Sequence, residues 1–178
     1  MLSKQCSVSI VDTHSEIAGC NGTPHQSVGA AKCCTVPKIE EQGSVMMQCA
    51  RRQRPDTIIV DDLTTSSDVE AALFCKRRCI RMIASTAAGS MRELVNDPSM
   101  IGLLGGLKGE RKKHARVAEP VFDIVVELRR GAFDEWRVIL DAGEAFDSIL
   151  SQGKQQYMTQ LRTRDSATGG FQMEHERL

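Results

Sequence analysis

The stretch Thr57-Ile-Ile-Val-Asp-Asp62 is the part of the sequence from which the fold can be inferred. Its β-branched run is typical of a strand that is covered on both faces in a parallel sheet. Ligands of open α/β sheets bind at the carboxyl ends of such strands, so the two acids are expected at a Mg²⁺-phosphate site. In this Walker B interpretation, Asp61 holds the metal through water and Asp62 activates a nucleophilic water. Apolar runs that end in aspartate also occur on strands that bind nothing, so the six residues alone leave both interpretations open.

Length and composition indicate a globular chain with no strong electrostatic preference. The 178 residues suffice for one domain with a hydrophobic core, and 41% are hydrophobic while 26% are charged. Basic and acidic residues are equal at 23 each, so net charge gives no reason to expect a nucleic-acid or membrane partner. No apolar run approaches the roughly 18 residues of a membrane-spanning helix. Residues 1–6 lack a secretory or transit pattern, so we expect a soluble chain that stays where it is made.

The cysteine pattern favours a reducing compartment. The chain has seven cysteines, an odd number, and no Cys-x-x-Cys pair. Cys20, His25, Cys33 and Cys34 could be drawn as a zinc cluster, but their irregular spacing favours buried or incidental thiols. No metal is assigned there.

A second strand, over residues 7–11, also ends in an acid. Asp12 follows this strand and Glu16 lies four residues further on. If the two strands are parallel neighbours, both residues lie on the same sheet edge as Asp61 and Asp62. The alternative is that Asp12 merely turns the chain.

The loop over residues 19–37 and the helix after it carry the next candidate residues. His25 lies in the loop, where long irregular segments often have functional roles. The pattern from 40 to 54 is helical and ends at Pro55. Three arginines lie at the C-terminal end of this predicted helix: Arg51, Arg52 and Arg54. Their favourable interaction with the helix dipole explains them better than phosphate binding does.

The remaining pattern alternates strands and helices and then changes character. A strand–helix–strand–helix rhythm predicts a parallel α/β sheet, and a later apolar–charged alternation predicts an antiparallel hairpin on the edge of that sheet. The predicted elements are a helix from the capping box 67–70 to 79, a strand at 80–85, a short helix from Ser90 to Asp97, the hairpin at 122–140, a helix at 144–150 and a poorly ordered tail at 153–178. The domain is thus expected to cover residues 1–152.

A basic run at residues 110–116 is the best local candidate for an anion contact. Such runs usually form a solvated face. A nucleic-acid-binding role would rest on this run alone, and it lacks the interleaved aromatic residues that stack on bases.

Several linked motifs resemble the ATPase domain of the stage III sporulation protein AA family, whose relatives include algal and plant chloroplast proteins. The resemblance covers about residues 5–152. The motifs are Val11-Asp-Thr-His-Ser-Glu-Ile-Ala-Gly19, Pro24-His25, Gly29, Ile59-Val-Asp-Asp-Leu63, Asn96-Asp-Pro98, Gly105-Gly106 and Phe122-Asp-Ile-Val-Val-Glu-Leu128.

The resemblance implies a P-loop ATPase of the RecA-like or AAA+ type, with ATP and Mg²⁺ as cofactors. It makes Asp61 the Walker B metal acid and places Asp62 where the family has its catalytic glutamate. Glu16 would share the catalytic role, and Asp12 and His25 would belong to the cofactor-binding part of the site. A homo-oligomer or an ATPase partner chain is the implied partner, nucleic acid is a partner of longer relatives, and chloroplast or cytoplasm is the implied compartment.

Three departures from the family pattern lower the expected activity. The sequence has no Gly-x-x-x-x-Gly-Lys-Ser/Thr loop, Asp62 is one methylene shorter than glutamate, and the family's Thr-Ala-His-Gly appears as Ser85-Thr-Ala-Ala88. We therefore expect a partial P-loop parallel sheet with helices on both faces, lacking its first strand and phosphate loop, with weak or absent ATP hydrolysis. The alternatives are a degenerate, non-enzymatic interaction module and a nucleic-acid-binding fragment.

Overall fold

The computed structural model describes residues 2–19, 24–109, 115–129, 131–151, 156–165 and 168–178. The chain is a mixed α/β protein that divides into two compact units, Met1–Ala87 and Ala88–Leu178. The domain over 1–152 expected from the sequence remains a prediction. No helix in these ranges has the length and apolar character needed to span a bilayer.

Unit 1 contains a four-stranded parallel sheet with the order β2-β1-β3-β4. Its strands are β1 Val8–Asp12, β2 Lys32–Thr35, β3 Thr57–Val60 and β4 Arg81–Ala84, and its helices are α1 Gln42–Arg52 and α2 Ser66–Arg77. All five residues of β1 are buried, and three of the four residues of β3 are buried as well. Burial along the length of both strands is typical of parallel strands covered on both faces, and the strands pair in parallel, so the predicted parallel sheet is confirmed.

The two faces of the parallel sheet are covered differently. Ser9 and Cys34 hydrogen-bond to residues at and just beyond the C-terminal half of α1, which places α1 on their face. On the other face, Val8 and Ile10 pack against Ala18 and Val28 of the segment that follows β1. This segment contains a 3₁₀ helix, Gln26–Val28, and no α-helix in its described part. Because β2 and β3 lie on opposite sides of β1, their connections cover opposite faces. The expected α-helices on both faces are therefore not observed in the described part of unit 1.

Local signals explain where the elements of unit 1 begin and end. Thr65 is the N-cap of α2 and forms a capping box with Asp68, whose buried carboxylate accepts the backbone N–H groups of Thr64 and Thr65. The sequence placed this capping box two residues later, at 67–70, because serines and acids occur at both spacings. The predicted loop over 19–37 ends in a strand, β2, which was not expected because its Lys-Cys-Cys-Thr sequence has no apolar run.

Unit 2 contains the antiparallel part of the fold. Its main sheet has the order β10-β9-β8-β7, and β5 and β6 form a separate pair. The strands are β5 Leu107–Lys108, β6 Ala115–Arg116, β7 Val125–Arg129, β8 Ala132–Ile139, β9 Met158–Arg164 and β10 Phe171–Arg177; the helices are α3 Met91–Asn96, α4 Ala142–Leu150 and the 3₁₀ helix Ile101–Leu104. The predicted hairpin is confirmed as β7 and β8, but it belongs to this second sheet and not to the edge of the parallel one.

The C-terminal residues form strands where the sequence predicted a poorly ordered tail over 153–178. β9 pairs with β8 on one side and with β10 on the other. Thr159 is completely buried, and the rings of Trp136 and Phe171 lie 5.0 Å apart between centroids. Sparse apolar residues misled the sequence analysis, because β10 is held mainly by backbone pairing and its side chains are largely exposed.

Candidate functional site at the carboxyl edge of the parallel sheet

The predicted acids are brought together by the pairing of β1 with β3. The strands run parallel with Val11 opposite Val60, so Asp12 and Asp61 leave the sheet at the same edge. The backbone N–H of Asp61 donates to the carbonyl of Val11 at 3.2 Å. Asp62 follows directly, and Glu16 lies beyond the turn that leaves β1. The expectation that these residues share one sheet edge is confirmed.

Strand order makes this edge the natural ligand position. In the order β2-β1-β3-β4, β1 connects to β2 on one side while β3 lies on its other side. The order therefore reverses between β1 and β3, and ligands of open α/β sheets bind outside the carboxyl ends of the strands at such a reversal.

Asp61 has a buried oxygen with unused hydrogen-bonding capacity. Its side chain is 11% exposed, and Oδ2 accepts no hydrogen bond from any described residue. The nearest basic group is Nδ1 of His14, at 3.5 Å, on a side chain that is 52% exposed. A buried carboxylate oxygen without a donor is costly, so this atom is disposed to accept a cation or a protonated His14.

Gln42 holds the backbone on which the two acids sit. Its side chain is 1% exposed, and Nε2 donates to the carbonyl oxygens of Asp61 at 2.9 Å and of Asp62 at 3.2 Å. Its Oε1 accepts a hydrogen bond from the Thr13 hydroxyl. One buried amide from the first turn of α1 thus connects the ends of β1 and β3. The position of the carboxylates is set before any ligand arrives.

The conformation of Asp62 is constrained from a second side. Its φ is 28°, in the left-handed region that residues with a Cβ seldom adopt. Its N–H donates to Oγ of Ser85 at 2.9 Å, and the next residue is held by Thr86, whose hydroxyl donates to the carbonyl of Leu63 at 3.2 Å. Ser85 and Thr86, the first two residues of the Ser85–Ala88 segment in which Ala87 replaces the family's histidine, therefore fix the turn after β3.

Both carboxylate oxygens of Asp12 accept hydrogen bonds from the backbone of the following turn. Its Oδ1 accepts the N–H of Glu16 at 3.1 Å, and its Oδ2 accepts the N–H groups of Ile17 at 3.1 Å and Ala18 at 2.7 Å. The side chain of Glu16 is exposed. Asp12 thus performs the chain-turning role left open by the sequence, and this turn places His14 beside Asp61.

His25 contacts its own loop. Its backbone N–H donates to the carbonyl of Ala18 at 2.7 Å, and its Nδ1 accepts the N–H of Ser27 at 3.2 Å. It is the N-cap of the 3₁₀ helix Gln26–Val28. In the described ranges its hydrogen bonds go to this loop and not to the acids. Its predicted part in cofactor binding remains a prediction.

Sequence reasoning missed two residues of the site. His14 lies two residues after Asp12 in the motif over residues 11–19. Its place directly after β1, near the predicted acids, could have identified it as a candidate. Gln42 carried no signal, because its role depends on the packing of α1 against the ends of two strands. No group of three or more His, Cys, Asp or Glu side chains that could hold a metal occurs in the described ranges. The zinc cluster considered for Cys33 and Cys34 includes Cys20, which lies outside those ranges.

Comparison with known proteins finds plastid relatives. No protein-family model matches the sequence. The chain is 28% identical over 173 residues to the uncharacterized protein ycf45 of Porphyra purpurea, an alignment that covers 89% of this chain and 30% of that protein. It is 29% identical over 134 residues to the protein SEEDLING PLASTID DEVELOPMENT 1 of Arabidopsis thaliana, covering 68% and 20% respectively. A ycf45 protein of Cyanidium caldarium is 34% identical over 101 residues, or 57% of this chain and 30% of that protein.

These relatives correct the family assignment made from the sequence. They are ycf45 and SEEDLING PLASTID DEVELOPMENT 1 proteins, and neither the stage III sporulation protein AA family nor a P-loop ATPase is indicated. The assignment was wrong. The description of the chain as an AAA+ ATPase with a Walker B strand, which depended on it, is therefore wrong as well. Strands that end in acidic residues at one edge of a sheet occur in many α/β proteins. Motifs of this kind therefore predict the arrangement of the acids better than they identify the family. The chain spans less than a third of the length of the relatives it matches.

Proposed function

We infer that unit 1 binds a small phosphate-bearing ligand together with Mg²⁺ at the carboxyl edge of β1 and β3. ATP, which only the family resemblance implied, serves as the trial ligand. The supporting observation is the buried Oδ2 of Asp61, which accepts no hydrogen bond in the described part of the chain and lies at the reversal of strand order. A cation supplies the missing partner. This proposal depends on the parallel sheet and the residues at its carboxyl edge, and not on membership of an ATPase family.

The ligand has to supply most of the coordination. Mg²⁺ keeps several waters and is usually held by one or two carboxylates together with substrate phosphates. Asp61 provides one carboxylate, whereas both oxygens of Asp12 already accept backbone N–H groups. His14, half exposed beside Asp61, is placed to donate to a phosphate oxygen. Roles for Glu16, Asp62 and His25 in the same site remain part of this proposal.

Binding is expected to be weak and not to lead to hydrolysis by this chain. The sequence has no glycine-lysine phosphate loop, so the several backbone donors and the lysine of such a loop are missing. Charged hydrogen bonds contribute about 1.5–3 kcal/mol each, and a micromolar complex contains only about 8 kcal/mol. Losing three of them removes at least about 4.5 kcal/mol, which places the dissociation constant at a few millimolar or weaker. The Asp62 backbone is fixed by Ser85 and Gln42, which further limits how its short side chain could reach a nucleophilic water.

Isothermal titration of the full chain tests this function. We expect Mg-ATP to bind saturably near millimolar concentration, and both Asp61→Asn and omission of Mg²⁺ to abolish the heat. Asp56→Asn is the matched control, because Asp56 precedes the same strand at the opposite end and accepts the N–H of Ser7 at 2.8 Å, a bond that asparagine retains. Absence of Mg²⁺-dependent binding up to about 50 mM ligand, well above the few millimolar expected here, or binding that survives Asp61→Asn, would overturn the inference. Low-micromolar binding would contradict the weak affinity.

The name of one relative supports the proposal that this role is carried out in the plastid. That relative is named for seedling plastid development, and we extend that compartment to this chain as part of the proposal. Fractionation of cells that express the full-length protein, with antibody detection in purified plastids, tests it.

A non-enzymatic interaction module is the second candidate, and one surface of unit 1 favours it. At the opposite edge of the parallel sheet, the end of α1 and the end of α2 present guanidinium groups around Phe74, with Arg51 and Arg78 lying 4.9 and 4.4 Å from its ring centre. A cavity of about 340 Å³ beside them is lined by Ala50, Arg54, Pro55, Asp56, Arg78, Cys79, Ile80 and Arg81. An acidic partner chain fits this surface. Salt-sensitive binding of polyglutamate that is lost in a combined Arg54→Glu and Arg81→Glu variant would support this role, and equal binding by the variant would refute it.

The nucleic-acid alternative depends on residues that are mostly outside the described ranges. Of the basic run 110–116, the structure describes Ala115 and Arg116. Arg116 is engaged in ion pairs, with Asp147 at 3.1 Å and Glu119 at 3.0 Å. Its guanidinium is therefore used within unit 2, and it gives no support to a nucleic-acid contact.

A further inference from the structure

Two cysteines from different elements of unit 1 meet across the face of the parallel sheet. Cys34 lies on the edge strand β2 and Cys49 in the third turn of α1, 15 residues apart in sequence. Sγ of Cys49 donates to Sγ of Cys34 at 2.9 Å. Cys34 is half-buried and Cys49 is buried, and both are free thiols. The fold, and not the local sequence, brings these sulfur atoms into contact.

A second donor converges on the same sulfur atom. Gln53 lies one turn after Cys49, and its Nε2 donates to Sγ of Cys34 at 3.2 Å. The amide is oriented by Ser9, whose hydroxyl donates to Oε1 of Gln53 at 2.7 Å. With Oε1 bonded to Ser9, Nε2 is the end of the amide that faces the sulfur.

This environment favours the thiolate form of Cys34. The hydrogen bond from Cys49, opposed by burial and assisted by Gln53 and Lys32, lowers the pKa of Cys34 to about 6. The same hydrogen bond and burial raise the pKa of Cys49 strongly. A thiolate beside a protonated thiol is the arrangement of a nucleophilic and a resolving cysteine.

We propose that Cys34 and Cys49 form a redox-active pair that converts reversibly between two thiols and an intramolecular disulfide by exchange with a disulfide compound. Cys34 thiolate attacks one sulfur of the compound, forming a mixed disulfide and releasing one thiolate, which takes up a proton. Cys49 then loses its proton to solvent and attacks Sγ of Cys34, which forms the protein disulfide and releases the second thiol. From the Cys34 thiolate, the protein loses two electrons and the Cys49 proton, and the disulfide compound gains two electrons and two protons, the second proton coming from solvent.

Formation of the mixed disulfide prepares the second step. The negative charge on Cys34 disappears once its sulfur is bonded to the compound. The hydrogen bond to the Cys34 thiolate and the negative charge of that thiolate both raise the pKa of Cys49. Because the mixed disulfide removes both, the pKa of Cys49 falls at the step in which Cys49 reacts. Reduction by a small dithiol runs the same steps in reverse.

Cys33 and Cys75 are less suited to pair with Cys34. Cys33 is its chain neighbour, and successive side chains of a strand point to opposite faces, so a Cys33–Cys34 bond would require the strand to distort. Cys75 is buried, and burial raises the pKa of its thiol to about 11, which leaves little thiolate near neutral pH. Cys33 and Cys79 are exposed and serve as internal references for unspecific oxidation.

Peptide mapping of the full chain tests the pair. After treatment with excess oxidised glutathione near pH 8 and blocking with N-ethylmaleimide, trypsin cuts after Lys32, Lys38 and Arg51, which separates residues 33–38 from residues 39–51. We expect these two peptides to remain joined by a disulfide, to separate after treatment with dithiothreitol, and to remain joined in Cys33→Ser, which identifies Cys34 as the partner.

Cys49→Ser should abolish the joined peptides and leave glutathione bound to Cys34. This variant retains a small polar donor, and its circular dichroism spectrum checks that it folds. The wild-type map is decisive even if it does not. Complete labelling of Cys49 by N-ethylmaleimide after oxidation, or joined peptides that disappear in Cys33→Ser, would overturn the proposal.

Discussion

The side-chain amide of Gln42 donates to the carbonyl oxygen of Asp61 at 2.9 Å. This contact couples the first turn of α1 to the end of β3, and the same amide also reaches the carbonyl of Asp62. The contact to Asp61 is buried and the contact to Asp62 is partly buried, so the carboxylate edge depends on a side chain that would not be counted among the candidate ligands. A buried amide of this kind stabilises the backbone and limits its alternatives.

Replacing Gln42 by leucine should lower the free energy of unfolding of unit 1 by about 2–4 kcal/mol, because buried carbonyl groups left without donors cost about 1–3 kcal/mol each. Urea unfolding followed by circular dichroism measures the loss. Gln48→Leu is the matched control, since Gln48 is an exposed residue of the same helix and should change the value by less than about 0.5 kcal/mol. Equal effects of the two substitutions would show that the Gln42 contacts do not stabilise the edge.

Asp12 should behave as a structural residue first. Asp12→Ala leaves the backbone N–H groups of Glu16, Ile17 and Ala18 without their acceptor, so we expect a loss of about 3 kcal/mol or more in the free energy of unfolding. Asp12→Asn retains one oxygen and should lose about half as much. Chemical denaturation of both variants measures the series. If the two variants were as stable as the wild type, the turn would be held by other contacts.

The sequence predicted the parts of this edge that depend on local pattern. The β-branched run of β3 and the acids after both strands identified the shared sheet edge, because strand propensity and the rule for parallel neighbours depend on short segments. Gln42 and the Cys34–Cys49 contact could not be found in this way, since each joins residues that only the packing of α1 brings together. The tail prediction failed because β10 is paired through its backbone and few of its side chains are buried.

Two adjacent glycines of unit 2 should respond differently to alanine. Gly105 and Gly106 both have positive φ, 99° and 72°, so alanine is strained at either position. A Cβ at Gly105 would lie 2.0 Å from the carbonyl oxygen of Ala118, whereas a Cβ at Gly106 would have no atom within 4 Å. We expect Gly105→Ala to cost about 2 kcal/mol more than Gly106→Ala, because a clash with backbone adds to the strain. Thermal unfolding of the two variants decides this, and equal melting temperatures would contradict the close approach.

Backbone amides of β9 should be protected from hydrogen exchange. The strand lies between β8 and β10, and its residue Thr159 is fully buried. Since amides in a central strand exchange only through opening of the sheet, we expect slowing of about a thousandfold or more relative to an unfolded chain. Exchange mapped by mass spectrometry over residues 158–164 is the measurement, with the edge strand β10 as an internal comparison of intermediate protection. Exchange at the rate of an unfolded chain would instead support the prediction of a poorly ordered tail.

Alkylation of Cys34 should depend on pH differently from alkylation of its neighbour. The hydrogen bonds from Cys49 of α1 and from Gln53, which directly follows α1, and the charge of Lys32 on β2 lower the pKa of Cys34 to about 6. Burial, the Cys34 sulfur and Asp12 raise the pKa of Cys33. Because the thiolate is the reactive form, the rate at Cys34 should increase through about pH 6 and level off near neutral pH, while the rate at Cys33 keeps increasing into the alkaline range. Iodoacetamide labelling of the wild type and of Cys33→Ser, read by mass spectrometry, gives the two profiles.

Removing the main donor should shift the Cys34 profile upward. Cys49→Ala eliminates the largest cause of the lowered pKa, so the midpoint at Cys34 should move toward that of an ordinary thiol. Cys49→Ser retains a hydroxyl that can donate to the thiolate, so its midpoint should lie between those of the wild type and the alanine variant. Cys79→Ser changes an exposed cysteine on another element and should leave the midpoint unchanged. An unchanged midpoint in Cys49→Ala would mean that the Cys49–Cys34 hydrogen bond does not stabilise the thiolate, and a graded shift from serine to alanine would identify that bond as its cause.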